Sequence, residues 1–337
     1  VPNVWTHLLF GQKCLQALGE QHLIESPHRK TMFNMGCQGP DFLFYHRFLP
    51  WQKSRTLTRL GSEMHRLHCG PVLLDLLDSL DNLTARTDKS AREDALVYTL
   101  GFVLHHVLDR VMHPYVFSRS GNRKWDHQRF EILMDTLIVQ KLLGIETWKT
   151  EVWREINNKG ELPASVVDAF EQIAAVHYPK LAPIIRREHW TAAMRDMIAA
   201  QRLFYDPTGL RRIVTFGKIE PLVYKRELPG LDVLNESRKP WLDPVDGQTL
   251  HHESVWDLWD KAMSEAIDII SAILVWLREK EPLEPILDVG SEIPSKHQLR
   301  EAVARLIGNR SYETGLPCES GASIQFEDPI WTQTQML

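Results

Sequence analysis

The stretch GFVLHHVLDRVMHPYVFSRSGNRKWDHQRFE, residues 101–131, decides how the chain is read. Side chains four apart on a helix lie one above the other on the same face. His105, Asp109 and His113 therefore form one stripe, and His127 and Glu131 form a second pair. Imidazole and carboxylate at this spacing suit zinc or a similar divalent ion. Gly101 lies one turn before His105, where a missing side chain lets a neighbouring loop or helix come close. A single His-x3-Asp pair is weak, because charged helix faces are common. Two pairs in so short a stretch, on segments that otherwise look buried, are a stronger signal.

Working outward, ten of the fifteen histidines precede residue 132, and that clustering leans towards ligands. Asn3 is placed to cap a first helix with Val4, Leu8, Leu9, Leu15 and Leu18 on its apolar side. His7 lies in its first turns and, standing alone, reads first as a packed histidine and second as a ligand. Asp41 closes the turn Gly39-Pro40-Asp41, which suits either a fixed carboxylate ligand or a cap for the aromatic segment 42–46. Phe42, Phe44, Tyr45, Phe48 and Trp51 then line a pocket or belong to the core. Residues 57–83 read as helical with an interruption near Gly70-Pro71. They carry His65 and His68, one of which could reach a metal. Asp126 is expected to cap the helix of His127, Glu131 and Asp135. Asp135 reads as a partner holding a ligand in place or as a solvated surface acid.

The remaining pattern is helical: a central helix over 93–115, then 149–157, 163–174, 189–203, 254–280 and 296–307. Residues 206–252 contain five prolines and four glycines, which predicts a long irregular excursion, a wall or lid over the site. Residues 1–310 are expected to form one helical domain, with a metal-site half (1–145) and a helical and loop half (146–310). A polar, loosely held tail over 311–337 completes the chain. No strand alternation, G-x-S-x-G, P-loop or G-x-G-x-x-G is present. The fold class is therefore all-α, a multi-helix bundle with ligands projecting inward from several helices.

The 337 residues, 43% hydrophobic and 25% charged, are enough to bury a large core. The longest apolar run, 267–277, is too short to span a bilayer. A net charge of −5 gives no reason to expect a nucleic-acid coat protein, although a nuclease whose metals supply local positive charge stays open. Cys14, Cys37, Cys69 and Cys318 form no C-x-x-C pair and fit reduced thiols in the cytoplasm.

The combined pattern of His7, Gly39-Pro40-Asp41, Gly61-x3-His65, His105-x3-Asp109, His113-Pro114 and His127-x3-Glu131 resembles the zinc-dependent phospholipase C superfamily, which also includes the fungal single-strand-specific zinc nucleases. The opening Pro2-Asn3-Val4-Trp5-Thr6-His7 is similar to bacterial intracellular members. The resemblance covers roughly residues 2–135. It implies the all-helical fold of that superfamily and a site of two or three zinc ions. It assigns Asp41, His65, His105 and Asp109 to one ion, and His127, Glu131 and His113 to a second. His7, a bridging Asp109 and the chain's amino-terminal residue hold the third.

In secreted members that terminal ligand is a tryptophan. Here Trp5 is internal, and Pro2 takes the place if Val1 is removed. His113 follows Asp109 by four residues, where the secreted enzymes have six. The implied activity is phosphoester hydrolysis, with Asp41 also orienting or deprotonating water. The substrate is a phospholipid or another small phosphorylated molecule, with transient membrane-surface contact and no stable nucleic-acid complex. Two other readings are a di-iron oxygenase and a non-catalytic binding protein that retains the fold. The first is disfavoured because no candidate ligands form a Glu-x-x-His pair.

Overall fold

A computed structural model describes residues 3–49, 51–52, 55–83, 88–121, 123, 125–278 and 294–331. The helices are α1 (Val4–Ala17), α2 (Pro27–Gly36), α3 (Thr56–Met64), α4 (Cys69–Asp81), α5 (Lys89–Ser120), α6 (Asp126–Leu143), α7 (Val152–Glu155), α8 (Ala164–His177), α9 (Arg187–Phe204), α10 (Leu210–Val214), α11 (Val255–Arg278) and α12 (Lys296–Ile307). A 3-10 turn, Gly39–Tyr45, follows α2. The only strands among the described residues are β1 (Trp241–Leu242) and β2 (Leu250–His251), an antiparallel pair within the 206–252 excursion. The protein is all-α.

Helix α5 is the axis of the fold. It runs for 32 residues, with the Asp88 carboxylate accepting from the Ala91 N–H at its start. The helices α1, α2, α4, α6 and α11 pack around it. Its most apolar window is 94% buried inside the fold, so α5 is long and apolar because it is surrounded by protein. Among the described residues α5, and not the helix holding 267–277, is the one long and apolar enough to cross a membrane by length and composition. α2 meets α5 backbone to backbone. A Cβ on Gly36 would stand 2.1 Å from the Tyr98 carbonyl oxygen, and one on Gly101 would stand 2.5 Å from that of Phe33. This is the close approach expected from Gly101, and it delivers the loop after α2 to the middle of α5.

Three local expectations are corrected. The break between α3 and α4 falls at residues 65–68, where His68 adopts a left-handed conformation (φ 57°). Gly70-Pro71 sits inside the first turn of α4, where a missing N–H leaves no bond unmade. Asp126 does not cap α6; Trp125 holds the cap position, its side chain making no capping hydrogen bond, and Asp126 is the first helical residue.

The third correction concerns the segment after Gly308, which is not loosely held. Arg110 of α5 donates to the Ile307 carbonyl (2.7 Å) and to Glu265 of α11 (2.7 Å). Asn309 accepts from the Gly70 N–H at 3.1 Å. Tyr312 is buried, and the Trp331 indole donates to the Ser120 carbonyl at 2.5 Å. Pro114, inside α5, has no N–H to return to the Arg110 carbonyl. Gly315 (φ 68°) moves in over that carbonyl so closely that a Cβ would lie 2.3 Å from it. Residues 332–337 of the expected tail lie outside the described residues.

Gly36→Ala forces a methyl into backbone and is expected to cost about 1–3 kcal/mol of stability. Denaturant unfolding of the variant and the parent, both stripped of metal, measures it.

Candidate metal centre

Seven of the candidate ligands come from four places around α5, and α1 adds His7. α5 carries His105, Asp109 and His113 on one face. α6 brings His127 and Glu131, the 3-10 turn brings Asp41, and the end of α3 brings His65. The ligating atoms fall into three groups, each with its atoms within 4.8 Å of one another. They are His7, His105 and Asp109; then Asp41, His65 and His105; then His113, His127 and Glu131. Asp109 links the first to the third: its oxygens lie 3.3 Å from His7 Nε2, 3.1 Å from His105 Nε2 and 3.8 Å from His113 Nδ1. His105 links the first to the second, with its Nε2 3.9 Å from Asp41 Oδ1.

All nine candidate residues are therefore placed except one. Pro2 lies outside the described residues. His113 joins His127 and Glu131 despite its shorter spacing from Asp109, because α5 continues helically through Pro114 and keeps it on the Asp109 face. His68 does not join. Its left-handed backbone turns it towards the rings of His177 and Tyr178.

Backbone carbonyls orient the rings. Gly61 O lies 2.7 Å from His65 Nδ1, Cys37 O lies 3.0 Å from His105 Nδ1, and Tyr312 O lies 2.8 Å from His113 Nδ1. A carbonyl only accepts, so each Nδ1 carries the proton and each Nε2 presents a lone pair. Gly39 (φ 50°) is required beneath His105, since a Cβ there would stand 2.1 Å from the ring. Tyr312 packs its ring against His65, His105 and His106, and its N–H donates to the His65 carbonyl at 2.9 Å. His106, the next residue along α5, donates to the Arg310 carbonyl (2.9 Å) and fastens the same segment.

Asp135 is neither a surface acid nor a partner of a ligand side chain. It is fully buried and accepts from the N–H groups of Trp5 (3.2 Å) and Thr6 (2.6 Å), the Thr6 hydroxyl (2.5 Å) and the Tyr224 hydroxyl (2.5 Å). A carboxylate at the amino end of α1 complements the helix dipole and fixes His7 one residue further on. Burial pushes the Asp135 carboxyl up to about 6, against the pull of these donors.

The electrostatics fit a cation. Burial pushes the Asp109 carboxyl up, but His105, His113 and His7 around it hold it well below the usual carboxylate range. Burial pushes His7 down and His113 far down, leaving both rings neutral and ready to ligate. Burial also lowers His65, but the Asp41 and Asp109 carboxylates and the Gly61 carbonyl together outweigh it and raise the ring. Both oxygens of Asp109, with Nε2 of His7, His105 and His113, are buried without a hydrogen-bond partner among the described residues. Orphaned buried acceptors converging on shared points are costly unless a cation occupies those points. The nitrogen and oxygen donor set is one that zinc accepts.

A cavity of about 460 Å³ opens onto the site. Asp41, His65, His113, His127 and Glu131 form its floor, while Phe44, Tyr45, Phe48, Phe117, Trp125 and Phe204 supply aromatic walls. Leu222 closes one side, so the 206–252 excursion contributes a wall. Among the described residues, no lysine or arginine lines it.

A helical bundle with clustered histidines and carboxylates beneath an aromatic cavity defines a candidate metal-site architecture. Residues 6–187, more than half of the chain, match the family described as zinc dependent phospholipase C, and the chain belongs to that family. No curated protein and no solved structure matches it.

His113→Ala is expected to keep the helical fold and to lower bound zinc by one ion relative to the parent. Elemental analysis of the two proteins after identical dialysis checks this.

Proposed function

We propose that the protein is a zinc-dependent phosphoester hydrolase that holds two or three ions on His7, Asp41, His65, His105, Asp109, His113, His127 and Glu131. The observation that supports this most strongly is the set of buried, unpartnered ring nitrogens and Asp109 oxygens in three adjoining groups. Zinc bound there would act as a Lewis acid, neutralising phosphate charge and making water nucleophilic near neutral pH.

The chain's own residues supply the rest. Asp41 faces the cavity with one carboxylate oxygen 3.1 Å from the Nε2 lone pair of His65, so that the two could share one ion. Its remaining lone pairs are placed to orient the attacking water and take its proton. The Gly61 carbonyl behind His65 supports that position. Phe44, Phe48 and Phe204 offer flat apolar surface to the non-phosphate part of the substrate and keep bulk water out. A wall rich in aromatic side chains suits a phosphodiester carrying an apolar group, such as a phospholipid, better than a highly charged phosphomonoester.

The test uses protein purified without a metal-affinity tag, with phosphodiester and phosphomonoester hydrolysis measured before and after chelation. Two or three zinc ions per chain, loss of hydrolysis on chelation, and recovery with zinc are expected. Asp109→Ala is expected to lower the rate about 100-fold or more, since it loosens two groups of ligands at once. Bound iron with oxygen consumption, or hydrolysis indifferent to chelation, would overturn the proposal.

A further inference from the structure

Beside the cavity, the chain displays apolar side chains that a water-soluble surface has no use for. Between Phe204 and Leu222, both of which line the cavity, the backbone leaves the wall and forms α10 and the turn after it. Leu210 is 60% exposed, Ile213 72%, Val214 68% and Phe216 91%. Singly exposed apolar residues are ordinary, but four within seven positions form a patch. Phe216 also sits at φ 52°, a left-handed conformation that is strained for a bulky side chain.

The turn is built to hold this shape without packing its apolar face. The Asp206 carboxylate accepts from the N–H groups of Arg211 (3.1 Å) and Arg212 (3.0 Å), capping α10. Thr215 donates its hydroxyl to the Arg211 carbonyl at 2.7 Å, and the Gly217 N–H returns to the Arg212 carbonyl at 2.8 Å. The knob is thus a self-bonded element with its hydrophobic face turned outward.

Charge identifies the partner. The chain as a whole carries −5, yet residues 206–226 hold five cationic side chains against two acidic ones. Arg211 directs its guanidinium to the carbonyls of Arg202, Leu203 and Tyr205, so its charge is not cancelled by a carboxylate there. Lys218 is exposed next to Phe216. Apolar side chains interleaved with cations are the pattern of an interfacial anchor, which inserts into the acyl boundary while the cations meet anionic headgroups.

We infer that the α10 knob docks the protein on an anionic lipid surface and brings the mouth of the cavity to that surface. The docking stands on the patch itself. Only the added step, that the cavity then receives a lipid-borne phosphodiester, rests on the hydrolase proposal.

Flotation with vesicles of phosphatidylcholine, with and without phosphatidylserine, tests the inference on full-length protein, both as purified and after chelation. The parent is expected to float with the phosphatidylserine vesicles, less with phosphatidylcholine alone, and less again at high salt. The double variant Ile213→Asp, Phe216→Asp alters two exposed positions, and aspartate tolerates the left-handed backbone better than phenylalanine. Its bound fraction is expected to fall about tenfold or more, with hydrolysis of soluble bis(p-nitrophenyl) phosphate unchanged. A parent that stays free of vesicles, or a double variant that floats equally well, would overturn the inference. So would a parent dimer in sedimentation that the double variant abolishes, because the patch would then serve a second copy of the chain. Flotation of the chelated protein separates the two proposals. A protein that floats but never hydrolyses defeats the hydrolase alone, and one that hydrolyses but never floats defeats the docking alone.

Discussion

A carboxylate cannot remain ionised in the middle of a helical core without compensation, since stripping its water costs several kcal/mol. Asp109 sits there, fully buried and with no hydrogen bond among the described residues to either oxygen. Much of the surrounding architecture answers that one charge. His7 arrives from α1, while His105 and His113 flank Asp109 one turn away on α5 itself. All three rings are disposed with a nitrogen towards it. Replacing Asp109 alone would leave those three buried rings without their common partner, so the carboxylate and the histidines stand or fall as one cluster.

The precision of the site comes from backbone. Gly36 and Gly101 let α2 and α5 touch without intervening side chains, and that contact carries the Cys37 carbonyl to His105. Gly39 then turns the chain beneath the same ring and leads directly into Asp41. The three rings whose Nδ1 meets a carbonyl are therefore oriented by groups that no substitution of the contacting residue can remove. Such a site is preorganised by packing, and loosening the glycine contacts would disturb the ligands before any ligand was altered.

The i, i+4 stripes made the heart of this arrangement legible in the sequence. His105, Asp109 and His113 needed only helical periodicity, and the clustering of histidines pointed to the same half of the chain. The all-α class followed from the same periodicity and the absence of strand alternation. Asp41 and His65 were ambiguous from spacing alone. Their role depends on a turn and a helix end meeting in space, which periodicity does not encode. The Cys37 and Tyr312 carbonyls were invisible, because every residue has a carbonyl. Polar composition after Gly308 suggested a loose tail. Tyr312, Ile330 and Trp331 were the counter-signal, three large apolar residues that the fold buries wholly or in part. Asp135 was misjudged for a related reason: its partners are the N–H groups of α1, some 130 residues earlier.

The Tyr312 carbonyl that orients His113 comes 199 residues after it in the chain. During synthesis, α5 and α6 therefore emerge with their ligands long before the group that fixes one of those ligands exists. The early half of the protein can gather metal-binding side chains, but the finished coordination geometry must wait until the segment around residue 312 has left the ribosome and folded back over α5. A nascent or prematurely ended chain carries every described candidate ligand and still lacks the finished centre, so the order in which the polypeptide is made delays the onset of its chemistry.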